Sequence, residues 1–233
     1  MTTHTLAISP HSADAKVHAP TILLACGIAA PLLYFGMLVW IPTLWPGYSS
    51  SSQTISELSA IGAPTRPLWA ALGMLYTVLI VAFGWGIWMS SRDTRQLRVV
   101  GALVFAAGVF GVFWPPMHLR EVLAEGGGTL TDTLHIVWTA VNGLLLMIAM
   151  GFAATALGKP FRWYSIGSIA ALLVTGAITS GDAARLEANL PTPGMGVWER
   201  INVGVMMLWL VVLALALFHR NVKGKVHETD TAH

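Results

Sequence analysis

Asp132, His135, Thr139 and Asn142 stand three, four and three residues apart, which puts all four on one face of a helix. At about 1.5 Å of rise per residue, Asn142 lies roughly 15 Å below Asp132. Polar groups on one face of an otherwise apolar helix must turn toward other helices. Two further stretches answer them. Ser168, Thr175, Thr179 and Asp182 share a rough face, and Glu199 and Asn202 stand three apart. Arg185 and Arg200 can neutralise the acids, and a pair between Asp132 and Arg200 beside His135 is expected. Three polar stripes meeting at one depth imply a water-accessible pocket for a lipid headgroup or small polar ligand. The alternative is interhelical hydrogen bonding in a passive bundle.

Other chemistries have weaker signatures. Zinc on His118, Asp132 and His135, with Glu199 or Asp182 as general base, would make a metal-dependent hydrolase. The pattern requires no cofactor otherwise. The lone cysteine, Cys26, sits in an apolar run, so neither a disulfide framework nor a cysteine metal cluster is available. No Gly-x-Ser-x-Gly elbow occurs, so a conventional serine triad is not readable. Gly126-Gly127-Gly128 follows no strand and no lysine accompanies it, which makes it a hinge and not a phosphate loop. Thr54-Ile55-Ser56-Glu57 is a capping-box pattern, with Thr54 as cap and Glu57 reaching back to its amide. Ile55, Leu58 and Ile61 continue it at near-helical spacing, so Thr54, Ser56 and Glu57 belong to a short helix that lies on the outer surface or is tucked over the bundle mouth as a lid.

The elements that must carry these residues are membrane helices. Of 233 residues, 55% are apolar and only 10% charged, with a mean hydropathy of +0.67. A soluble domain carries about 25% charged residues. The net charge of +2 offers no basic field for nucleic acid. Six stretches approach the ~20 apolar residues a span needs: 21–45, 67–89, 97–114, 133–157, 161–180 and 197–218. The expected architecture is an all-α, six-helix transmembrane domain over 21–218, with flexible tails at 1–20 and 219–233. The first span is too long for a signal-peptide h-region and reads as uncleaved.

Lys16, Arg92, Arg95, Arg98, Lys159, Arg162, Arg220, Lys223 and Lys225 fall on the side of the termini, and Arg66, Arg120, Arg185 and Arg200 on the other. Nine against four makes both termini cytoplasmic. Trp45, Trp69, Trp88, Trp114, Trp163 and Trp198 lie at span ends, as interface anchors do. Ala107-x-x-x-Gly111 is a small-residue pair for close helix packing. The first and last three spans show no internal repeat, and no charge lies near mid-membrane, which weighs against a transporter.

Thr54 to Pro64, read as TISELSAIGAP, resembles the "TISELxAxGAP" loop of bacterial membrane proteins in the domain of unknown function 998 family. Thr131-Asp132-Thr133-Leu134-His135 is similar to that family's entry to its fourth span, and Gly196 to Arg200 to its entry to the sixth. The likeness runs from about Ala29 to Phe218. The chain departs from it at Phe113-Trp114-Pro115-Pro116 and at Trp138-Thr139, where family members often have Phe-Pro-x-Asp and a second histidine. The resemblance implies a multi-pass protein of the bacterial inner membrane, with the bilayer as its partner, and supplies no reaction. Oligomeric state is not legible.

Overall fold

The computed structural model describes the backbone of residues 10–91 and 94–230 and the side chains of 20–91 and 94–221. Residues 1–9 and 231–233, at the outer ends of the two expected tails, lie outside the described residues, as do the side chains of Lys16, Arg92, Lys223 and Lys225. The described residues form helices and no strands, with one isolated bridge between Ile61 and His118.

Eight α-helices follow one another: α1 (Pro10–Trp40), α2 (Arg66–Ser90), α3 (Arg95–Gly111), α4 (Arg120–Ala124), α5 (Leu130–Ala156), α6 (Lys159–Gly181), α7 (Ala183–Glu187) and α8 (Met195–Asp230). Short 3₁₀ turns occupy Ile41–Leu44 and Ser56–Ser59. Pro67 and Pro160 stand in the first turns of α2 and α6, where a missing N–H costs nothing. Thr129 caps α5, and Asp132 reaches back to the Thr129 amide in a second capping box.

Among the described residues, five segments are long and apolar enough to cross a membrane: Pro20–Leu44, Arg66–Ser90, Leu130–Ala156, Lys159–Glu187 and Met195–Asn221. The remaining expected span, 97–114, is α3 and has 17 helical residues. Those rise only about 25 Å, less than the ~30 Å of a hydrocarbon core.

The six long helices form a ring in which α1 packs on α2, α2 on α3, α3 on α5, α5 on α6, α6 on α8, and α8 on α1. Its core includes Phe83, Val104, Met150, Trp209 and Leu213, all fully buried. α2 and α3 touch backbone to backbone. A Cβ on Gly84 would sit 2.3 Å from the Phe105 nitrogen, and one on Gly101 would sit 2.6 Å from that of Trp88. Gly108 meets Val81 in the same way, so α3 runs antiparallel to α2. Beyond α3 the chain continues to Trp114, whose ring lies 5.9 Å from the Arg66 guanidinium at the start of α2.

Three connections, 46–65, 112–129 and 182–194, knit into a cap over one end of the ring. The Ile61 amide donates to the Met117 carbonyl at 2.7 Å, and Thr192 Oγ1 donates to the Ser52 carbonyl at 2.7 Å. Ala60, Met117, Leu186 and Met195 form a small apolar cluster among them. Trp69 is part of the interior and packs edge-on against Tyr34, so it is no exposed anchor, whereas Trp163 is 70% exposed.

Candidate functional site

Beneath the cap lies a cavity of about 350 Å³, walled by Tyr34 of α1 and by stretches of α2, α3, α5 and α8. The 3₁₀ turn roofs it through Ile55, Ser56 and Ser59. His135, Thr139 and Asn142 line one wall, and Glu199 and Asn202 another. Two of the three polar stripes therefore border one space, while Ser168, Thr175, Thr179 and Asp182 of α6 do not line it. Most of the remaining lining is apolar or aromatic, including Trp69, Trp138 and Met206.

The roof is held from both sides of Ser56. Glu57 is completely buried and accepts hydrogen bonds from Arg120 Nε and Nη2, each at 2.7 Å. The same carboxylate accepts from the Thr54 amide at 2.7 Å, while the Glu57 amide donates to Thr54 Oγ1 at 3.3 Å. That is the reciprocal exchange the sequence pattern specifies, with an ion pair added to it. Arg120 Nη1 continues to Thr192 Oγ1, so one carboxylate joins all three connections. Its hydrogen bonds to Glu57 hold the Arg120 guanidinium above its ordinary pKa, against the pull of burial. On the other side of Ser56, the Ile55 amide donates to Glu199 Oε2.

Arg200 belongs to the cap and does not line the cavity. Its Nη1 donates to the carbonyls of Ser50 and Gln53, at 2.7 and 3.0 Å, and its Nη2 to Tyr48 Oη. Tyr48 in turn donates to the Thr54 carbonyl at 2.7 Å, and burial pushes its phenol up to about 12. The expected Asp132–Arg200 pair does not form, because Asp132 is taken by His118. The His118 amide donates to Oδ1 at 2.6 Å and its Nδ1 to Oδ2 at 2.9 Å. Asp182 and Arg185 lie apart from the cavity, 3.9 Å from each other, with Arg185 Nε donating to the Pro191 carbonyl.

His135 is 8% exposed, and both its ring nitrogens are engaged. Nδ1 lies 2.8 Å from the Pro115 carbonyl and Nε2 lies 3.1 Å from Ser56 Oγ. His118, Asp132 and His135 thus do not converge as zinc ligands. Among the described residues no group of three His, Cys, Asp or Glu side chains is placed to hold a metal ion. Deeper in the cavity, Asn202 Nδ2 donates to the Leu172 carbonyl and Thr175 Oγ1. Asn142 Oδ1 is buried with no hydrogen-bond partner.

Sequence reading found the two cavity-lining stripes. It missed Arg120 as the partner of Glu57, and Ser56 as the partner of His135. Neither has a local signal, since the pairs are 63 and 79 residues apart. The Thr129–Asp132 box did have one, a Thr-x-x-Asp just before an apolar run.

The profile of a family described as protein of unknown function (DUF998) matches residues 28–216. A UPF0060 membrane protein of Mycolicibacterium vanbaalenii is 33% identical over 112 residues, which are 47% of this chain and 91% of that relative. No solved structure matches.

Proposed function

The chain belongs to the DUF998 family of membrane proteins of unknown function, so its own geometry carries the functional reading, and we propose that it binds an amphipathic molecule in the cavity under the cap. The carrying observation is a cavity of about 350 Å³, apolar over most of its wall, with Glu199, His135 and Asn142 turned into it. Ligand pockets of this kind begin at about 300 Å³ and pair apolar walls with a few polar groups. The acceptors define the headgroup. A buried carboxamide oxygen without a partner is costly unless something donates to it, and a carboxylate likewise asks for donors. A lipid headgroup or small polar ligand bearing a hydroxyl or amine satisfies both.

The protein sits in the bacterial inner membrane with six crossings, the capped end outside and both termini in the cytoplasm. Antiparallel packing of α3 along α2, and the return of Trp114 to the level of Arg66, support the sixth crossing. The nine-to-four basic asymmetry supports the orientation. The tails at 1–20 and 219–233 flank this single domain.

Cavity filling tests the reading. Gly143 lines the cavity, and a Cβ there has no neighbour within 4 Å; Gly151 has the same freedom but does not line it. Lipid retained by protein purified in detergent would be extracted and counted by mass spectrometry. Gly143→Leu should lose the retained species while Gly151→Leu keeps it. Equal retention in both would overturn the reading.

A further inference from the structure

We propose that Ser56 and His135 form a nucleophilic pair that cleaves an ester bond of an amphiphile held in the cavity. The inference rests on the binding reading above and adds a reaction to it. The Pro115 carbonyl can only accept a hydrogen bond, so at 2.8 Å it fixes the proton of the neutral imidazole on Nδ1. Nε2 is then the bare nitrogen, and the Ser56 hydroxyl 3.1 Å away donates to it. A serine on the free nitrogen of a histidine whose other nitrogen is oriented by a third group is the arrangement that activates a hydroxyl. The Trp114 ring stands edge-on to the imidazole at 6.1 Å and 78°, which limits its rotation.

The serine is positioned as firmly as the base. Ile55 before it is tied to Glu199, and Glu57 after it is tied to Arg120 and Thr54. Ser56 itself is part of the cavity lining and is only half-buried, so its hydroxyl borders the space a ligand would fill. Glu57, Arg120 and Glu199 are positioning residues. A purely structural serine would not need the residues on both sides fixed by charges from two other parts of the chain.

The step balances as follows. Ser56 Oγ bonds to the ester carbonyl carbon, and its proton passes to His135 Nε2. The carbon–oxygen bond to the leaving alcohol breaks, and the alcohol departs with that proton. Water then attacks the acyl-Ser56 ester, giving its proton to His135, and the serine oxygen recovers it as the carboxylic acid leaves. Ester and water become acid and alcohol. The apolar walls suit the acyl chain, and the acceptors Glu199 and Asn142 suit a hydroxylated or amine-bearing headgroup.

An alkyl fluorophosphonate tests the pair directly, because Ser56 Oγ would displace fluoride from phosphorus and retain the phosphonyl group. Full-length protein in lipid nanodiscs would be treated with the probe and its adduct mapped by peptide mass spectrometry. The expected result is an adduct on Ser56, with labelling slowed at least about 100-fold in His135→Ala, the usual worth of a general base. Ser56→Ala should abolish the adduct yet keep the lipid that Gly143→Leu loses. An adduct on another serine, or none on Ser56 while Gly143→Leu still loses its lipid, overturns the nucleophilic pair and leaves the cavity as a binding site. No adduct together with equal lipid retention in every variant overturns both readings.

Discussion

Glu57 accepts five hydrogen bonds inside the protein without any exposure, and its worth depends on Arg120 staying in place. Burying two charges is expensive, and their attraction only offsets that cost while both are present. Arg120→Met should therefore strand the carboxylate and lower stability by roughly 3–5 kcal/mol, the usual cost of breaking a buried pair. Glu57→Gln with Arg120→Met should recover part of that loss, because no charge is left alone. Thermal unfolding in detergent checks both, and a double variant less stable than Arg120→Met would contradict this account. The capping pattern was legible because a carboxylate three residues after a threonine is a local signal. The arginine was not, because its partner is fixed by how three connections fold together. Asp132 shows the same limit: it does not line the cavity with His135, Thr139 and Asn142, and its partner is His118 on a neighbouring connection and not Arg200.

At the scale of elements, hydropathy located the five helices long and apolar enough to cross a membrane and the shorter α3 beside them, and the small-residue pair at Ala107 and Gly111 marked the side of α3 that meets α2. Ala107 is buried, and a Cβ on Gly111 would come 3.2 Å from Thr77 Oγ1. What hydropathy did not show is how closely the helices approach. At Gly101 a single added carbon meets the α2 backbone, which cannot move aside as a flexible side chain would. Gly101→Ala should cost about 1–3 kcal/mol, as over-packing of a dense interior does. Gly204→Ala, where nothing lies within 4 Å, should stay within about 1 kcal/mol of the parent, since alanine favours the helix. Melting temperatures of the two variants under one detergent condition make the comparison. Equal losses would mean that α2 and α3 are not in backbone contact.

For the whole molecule, the arrangement of the ends is the most exposed to test. Ser50, Glu125 and Glu187 are exposed on the three cap connections, and Lys159 is exposed on the turn between α5 and α6. In a Cys26→Ala background, Ser50→Cys, Glu125→Cys and Glu187→Cys should react with an impermeant maleimide added to intact cells, and Lys159→Cys should not. A cap whose three positions labelled from different sides would break the six-crossing reading. The proposed orientation rests on charge bias alone, because insertion itself responds to short basic loops. The cap was harder to foresee. Its contacts are polar, sparse and made between connections, where no periodicity reports them.

Those contacts also impose an order in time. The Ser50 and Gln53 carbonyls find Arg200, and the Ile55 amide finds Glu199, only after some 144–150 further residues have been made. At about 5–20 residues per second, the first connection waits on the order of 7–30 s before α8 reaches it. Until then these groups lack their partners, and the cavity lacks one wall and one of its roof's two fastenings. The cavity is therefore assembled last, and a chain interrupted before α8 carries an open first connection by which a protease could recognise it as unfinished.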